Sequence, residues 1–181
     1  MTHDLDAVAA EPLLVLELPT PAGTLAVAVA PEDGTVRAAG FSSPADQLGR
    51  LDPAQQRRGT STRWSGVQAA EDVAAAVAAY ADGDVFALDA VRVAQPGGPF
   101  LQRAWEALRQ VPPGATVSYR ELAAAAGSPA AVRAAGSACA RNLVAPFVPC
   151  HRVVRSDGSL GGYYYGLSVK ETLLAHERAN A

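Results

Sequence analysis

The run AQPGGP, residues 94–99, divides the sequence into two halves of different texture. Two prolines and two glycines in six residues remove backbone donors and loosen the chain, so neither a helix nor a strand passes through it. Upstream, LLVLEL (13–18), TLAVAVA (24–30) and TVRAAGF (35–41) are apolar runs of strand length. PTPAG and PEDG between them supply turn chemistry, which predicts a β-meander. Residues 42–63 are polar and turn-rich and are expected to be mostly irregular; the first eleven residues read as a loose tail. VQAAEDVAAAVAAYADGD (67–84) has helical spacing, with Val73, Val77 and Tyr80 on one face. VFALDAVRV (85–93) alternates and predicts another strand. Downstream, PFLQRAWEALRQV (99–111) puts Phe100, Leu101, Ala104, Trp105 and Leu108 on one helical stripe, ended by Pro112, Pro113 and Gly114. The expected fold class is α/β (α+β): a small sheet-and-helix domain over 12–93, then a mainly helical domain over 99–178.

TVSYRELAAAAGSPAAVRAAGSACARN (116–142) carries more detail. Ser118 followed by Glu121 is a capping box and opens a short helix. Gly127 and Ser128-Pro129 make a tight turn, and Pro129 suits the first turn of a second helix running to about Ala140. Two short helices about such a turn read as helix-turn-helix, although a packed αα-hairpin is commoner for this pattern alone. Arg133 favours the former, since it stands where a recognition helix presents side chains to a groove. Farther on, RSDG (155–158) is a turn and GGYYYG (161–166) a glycine-aromatic loop. Ser168 and Glu171 form a second capping box that opens a final helix.

Charge and cysteine usage narrow the function classes. Residues 1–100 carry 6 Lys+Arg against 13 Asp+Glu; residues 101–181 carry 9 against 5. A modestly basic half beside an acidic one is compatible with nucleic-acid contact, and equally with a solvated face. No run approaches the roughly 20 apolar residues of a membrane span, and the acidic N-terminus lacks a signal-peptide pattern. A cytoplasmic protein without membrane contact is expected. Its two cysteines, Cys139 and Cys150, are able to pair in principle, but a reducing compartment argues against it. No zinc-type spacing occurs, so no metal site is expected.

In PFVPCHRVVRSDG (146–158), Cys150 stands between Pro149 and His151. A cysteine is a nucleophile when it is ionised and reachable, and a neighbouring histidine helps ionise it. In an extended segment Cys150 and His151 point to opposite faces, so a contact requires a kinked backbone or a bridging water. A third group should orient the histidine; Asp157, Glu171 and Glu177 are the nearby acids. A lone cysteine among apolar residues is otherwise usually a small buried hydrophobe.

PCHRVVRSDGSLGGY resembles the active-site signature of the alkylguanine-DNA alkyltransferases, the methylated-DNA–protein-cysteine methyltransferases, whose core Pro-Cys-His-Arg-Val is intact here from Pro149 to Val153. SYRELA, SPAAVRAAGSACARN and LSVKETLLAHE resemble the family's helix-turn-helix and last helix in order and spacing. The resemblance covers 99–177 well; the N-terminal 90 residues are similar only in kind to the family's ribonuclease-H-like domain. It implies a protein that binds double-stranded DNA carrying alkylated guanine, flips out the base, and moves the alkyl group from the oxygen at position 6 to Cys150, once, with no cofactor. A monomer is expected, since no long exposed apolar helix stripe is left over. It implies that His151, through a water, and Glu177 deprotonate Cys150. Asn142 would hold the turn before the active-site loop. Tyr119 would press on the phosphate and donate a hydrogen bond to the guanine. Arg133 would fill the stack, with Ala134 and Ser137 also at the DNA, and small helix residues would permit entry to a minor groove. Tyr163, the Val153 carbonyl and Tyr165 would line the substrate pocket. Lys170 and Arg141 are expected to be solvated or phosphate-facing cations.

The sequence departs from the family pattern at Tyr165, where glycine is usual. Its ring either excludes large alkyl groups or swings out to stack on them. Leu143 and Thr172 look like packing changes. Three rival functions would demand other residues. A lesion-binding relative would lack the cysteine. A promoter-reading regulator would present Arg, Asn or Gln from its recognition helix rather than Ala and Gly. A cysteine hydrolase would need an oxyanion hole and would turn over.

Overall fold

The computed structural model describes residues 10–181; most of the expected N-terminal tail lies outside the described residues. Strands β1 (Leu13–Thr20), β2 (Gly23–Val29), β3 (Val36–Gly40) and the short β4 (Thr60–Ser61) form one sheet in the order β3-β2-β1-β4. The meander pairs antiparallel, with Leu16 opposite Val27 and Ala28 opposite Ala38, and β4 joins parallel to β1. Alternation sorts its side chains. Leu14, Leu16, Leu18, Leu25, Val27 and Val29 enter the main core, while Leu13, Ala28, Ala30, Ala38 and Leu51 form a small second cluster.

Two expectations fail here, for identifiable reasons. Residues 42–63 are not irregular: they contain α1 (Pro44–Gly49) and α2 (Pro53–Arg57). Each begins with a cap followed by proline, Ser43-Pro44 and Asp52-Pro53, and each cap side chain accepts from the first-turn backbone. Residues 85–93 do not form a strand. Val85, Leu88 and Val91 are buried at a spacing of three, and Ala87, Asp89 and Val91 donate to Asp84, Phe86 and Leu88 in successive turns. Only Val93 bridges to the sheet, beside Val36.

Helix α3 (Gln68–Ala81) buries Ala70, Val73, Val77 and Tyr80 against the sheet, and α4 (Pro99–Arg109) buries Ala104, Trp105 and Leu108. The Ser118–Glu121 capping box forms as the spacing predicts and opens α5 (Tyr119–Ala125). Helix α6 (Val132–Arg141) starts later than Pro129, which stays in the connecting turn. Helix α7 (Leu167–Asn180) starts at Gly166 in the left-handed region, so Ser168 lies inside the helix and caps nothing. One apolar cluster runs through both halves of this mixed α/β chain, from Leu14 and Val36 to Phe147, Val153 and Leu173. Among the described residues no helix is long and apolar enough to cross a membrane.

Candidate active site

The site begins where α6 ends. Asn142 caps the helix in extended geometry and turns the chain into 143–149, which leads to a single 3-10 turn at Cys150–Arg152. Such a turn rotates successive side chains by about 120°, so neighbours need not face opposite ways. His151 and Arg152 both reach Glu177, while Cys150 walls a cavity instead. The strand pair β5 (Val117–Ser118) and β6 (Val153–Val154) ties the start of α5 to the far side of this turn.

Glu177 is fully buried near the end of α7. Its carboxylate accepts from His151 Nε2 at 2.8 Å, from Arg152 Nε and Nη2 at 2.9 Å each, from Tyr80 Oη at 3.2 Å and from Gly114 N at 3.3 Å. Burial pushes this carboxyl up, but the hydrogen bonds from His151 and Arg152 outweigh it and bring its pKa down to about 2. Burial also pushes the His151 imidazole down, which keeps it neutral. A neutral imidazole facing a carboxylate carries its proton on the shared nitrogen, here Nε2. Nδ1 is then the basic nitrogen, and it has no partner among the described residues.

Cys150 is 7% exposed, and its thiol is free. Burial pushes its pKa up; a hydrogen bond from Asn142 and the charge of Lys170 oppose this. Asn142 Nδ2 donates to Cys150 Sγ at 3.2 Å and to the Val148 carbonyl at 2.7 Å. The amide is oriented by its other end, where Oδ1 accepts from Val144 N and from Gln95 Nε2. The cavity beside the sulfur measures about 240 Å³ and is walled by Tyr119, Gly136, Cys139, Ala140, Tyr163 and Tyr164 besides Cys150 and Gly162. The buried Tyr163 hydroxyl has no partner among the described residues. Gly161 backs Tyr119: it lies in the left-handed region, and a Cβ there would stand 3.2 Å from the Tyr119 hydroxyl.

Set against this geometry, residues 99–179 match the family described as 6-O-methylguanine DNA methyltransferase, DNA binding domain. The chain is 56% identical over 84 residues to the bifunctional transcriptional activator/DNA repair enzyme Ada of Escherichia coli; this covers 46% of the chain and 24% of that protein. It is 43% identical over 101 residues to the methylated-DNA–protein-cysteine methyltransferase of Salmonella typhimurium, 56% of this chain and 59% of that one. Both matches thus span less than two thirds of the relative. The whole fold goes further: the O6-methylguanine methyltransferase of Mycobacterium tuberculosis superimposes with a TM-score of 0.72 at 30% identity, covering 93% of this chain and 94% of that one. The chain belongs to the O6-methylguanine methyltransferase family. The Mycobacterium tuberculosis protein has also been solved in complex with DNA, and in that state it superimposes with a TM-score of 0.73 at 29% identity.

In this family member, Cys150, His151, Glu177 and Asn142 form two neighbouring hydrogen-bonded pairs, Asn142–Cys150 and His151–Glu177, with no direct Cys150–His151 hydrogen bond. Tyr119 and Tyr163 wall the cavity. Val153 and Tyr165 do not. Val153 is fully buried and its carbonyl accepts from Lys170 Nζ at 2.5 Å. The Tyr165 hydroxyl turns to the N-terminal half, accepting from Arg50 Nη1 at 2.8 Å and meeting Gln47 and the Ala39 carbonyl. Tyr164 takes the wall position instead. Arg133 and Ser137 are exposed on α6, Ala134 is half-buried, and Ser137 bonds back to the Arg133 carbonyl. Arg141 is exposed as expected, but Lys170 is not a solvated cation: it is fully buried and donates to the Val153, Leu160 and Gly162 carbonyls.

Sequence reasoning missed Arg152, Lys170, Tyr80, Gln95 and Arg50. Arg152 was signalled by its place beside His151 in a stretch that must kink. Gln95 and Arg50 had no local signal, because their partners lie 47 to 115 residues away.

Proposed function

We propose that this chain repairs DNA by moving an alkyl group from the position-6 oxygen of guanine to Cys150, once per molecule and without a cofactor. The observation that carries this reading is a thiol in the wall of a purine-scale cavity, backed by a fully buried His151–Glu177 pair. Its family membership and the DNA complex of its Mycobacterium tuberculosis relative support the substrate class.

The roles follow from the network. His151 Nδ1, through a water, takes the Cys150 proton, and Glu177 stabilises the imidazolium that forms. Asn142 donates to the sulfur and stabilises the thiolate. The thiolate then attacks the alkyl carbon, a C–S bond forms, and the C–O bond breaks with its electron pair going to the guanine oxygen. Tyr119 donates a hydrogen bond as that charge develops, and the guanine regains a proton. A thioether has no easy leaving group, so the protein is consumed.

In this reading α5 and α6 act as a helix-turn-helix over DNA. The exposed face of α6 is small at Gly136, Ser137 and Ala140, which suits close approach to a minor groove, and Arg133 fills the gap left by the flipped base. Tyr163 lines the guanine pocket. Residues 12–93 form a ribonuclease-H-like domain and 99–178 the DNA-binding and alkyl-acceptor domain of a cytoplasmic monomer. The test is intact mass after mixing the protein with a duplex carrying one O-methylated guanine. A stoichiometric gain of one methyl, mapped to Cys150, supports the reading. Binding without mass gain replaces it with lesion sensing.

A further inference from the structure

We propose that Arg50 and Tyr164 form a latch that closes the outer wall of the alkyl pocket and sets the size of the alkyl group this chain accepts. The inference rests on the function proposed above and adds a specificity determinant supplied by the N-terminal half.

Tyr164 is 60% exposed, so burial does not hold its ring in place. Two contacts do. The Arg50 guanidinium lies over its face, 4.1 Å from the ring centroid, and Tyr165 meets it edge-on at 5.0 Å. Arg50 is itself anchored. It follows α1, and it donates to the Tyr165 hydroxyl at 2.8 Å and to the Asn142 carbonyl at 2.9 Å. The Tyr165 hydroxyl is held further by Gln47 and Ala39. The position of Tyr164 is therefore dictated from the sheet and α1, directly by Arg50 and indirectly through the anchored Tyr165 of its own loop.

What Tyr164 separates gives the latch its consequence. It and Ala140 line both the 240 Å³ cavity containing Cys150 and a neighbouring groove of about 620 Å³. The other walls of that groove include Arg50, Leu101, Arg141 and Leu143. With the ring latched, the cavity ends at Tyr164 and suits a small alkyl group. Rotating the ring away joins the two spaces, and an arylalkyl substituent then extends between Leu101 and Leu143 with the guanidinium groups at its rim. A cation–π contact at an exposed site shifts such an equilibrium about twofold to fivefold, and more where water is excluded.

The experiment compares single-turnover transfer to Cys150 from one duplex sequence carrying either an O-methyl or an O-benzyl group on the same guanine. Wild type, Arg50→Ala, Arg50→Lys, Tyr164→Ala and the Arg50→Ala/Tyr164→Ala double variant are followed by intact mass against time. The benzyl-to-methyl rate ratio is expected to rise about twofold to fivefold in Arg50→Ala. It should rise at least as far in Tyr164→Ala, and no further in the double variant. Arg50→Lys keeps the charge but loses the flat stack and fork, so it should lie between wild type and Arg50→Ala. A ratio unmoved by Tyr164→Ala, or single effects that multiply in the double variant, overturns the latch. Equal slowing of both substrates in Arg50→Ala also overturns it, leaving Arg50 a support for Asn142 only. If wild type transfers no methyl group, the proposed function itself falls; if it does and the ratio stays flat, only the latch falls.

Discussion

His151 Nε2 lies 2.8 Å from Glu177 Oε1, and both side chains are completely buried. Arg152 shares the same carboxylate, so one acid compensates an imidazole and a guanidinium together. Glu177→Gln keeps the shape but leaves Arg152 without a counter-charge. Breaking a buried pair by removing one partner typically destabilises by about 3–5 kcal/mol. Urea unfolding should show a loss at the lower end of that range, with alkyl transfer reduced more than stability alone explains. Unchanged unfolding would mean that solvent reaches the pair.

The same carboxylate sets an acid limit. Its folded pKa, about 2, lies below the ordinary value of 4.5. A depressed folded pKa means that the unfolded chain binds the proton more readily. The stabilisation is therefore complete above about pH 4.5 and is lost as pH falls toward 2. The His151 shift has the same sign, acting as pH falls below its ordinary value of 6.5. Stability measured against pH should fall below neutrality and fall further below pH 4.5, and Glu177→Gln should make the second decline shallower, leaving the share of Glu32, Asp33, Glu121 and Asp157, which are also held low.

Asn142→Ala removes the hydrogen bond that opposes the upward pull of burial on the Cys150 thiol. A hydrogen bond to the charged form favours that form, so thiolate formation should move to higher pH once this one is lost. The pH profile of iodoacetamide labelling at Cys150 reads this directly. A profile that stays in place would remove Asn142 from thiolate stabilisation.

Lys170 holds β6 and the pocket loop together through the Val153, Leu160 and Gly162 carbonyls. Lys170→Met fills the space but leaves these carbonyls without their donor. With about 1–3 kcal/mol lost for each buried group left unsatisfied, a net loss of about 2–4 kcal/mol is expected. Hydrogen exchange should rise over residues 159–166 before it rises in the sheet.

Arg133 is exposed and forms no side-chain ion pair among the described residues. Arg133→Ala should leave the unfolding midpoint within about 0.5 kcal/mol of wild type. It should slow transfer from duplex DNA while leaving transfer from the free alkylated base unchanged. Equal slowing on both would place Arg133 in the chemistry rather than on the DNA.

Much of the site was legible because its signals are local. The meander, the Ser118–Glu121 box and the Cys150-His151 pair each depend on residues a few positions apart. The failures were also physical. Val85, Leu88 and Val91 supply the apolar residues of a strand, but their spacing of three builds successive turns. Ser168 and Glu171 have the spacing of a cap, yet Gly166 in the left-handed region starts the helix first.

By itself, the sequence determined the meander, the order of helices α3 to α7 and the presence of one nucleophile beside one imidazole, because backbone propensity and capping act over a few residues. The tertiary structure alone decided that Tyr163 and Tyr164 wall the pocket while Tyr165 turns away, that Lys170 is buried, and that Arg50 and Gln95 reach the Asn142 turn. The Arg50 and Gln95 contacts join residues 47 to 115 positions apart, and even the Lys170 contacts span 8 to 17, distances that chain closure and shared burial set and local patterning does not.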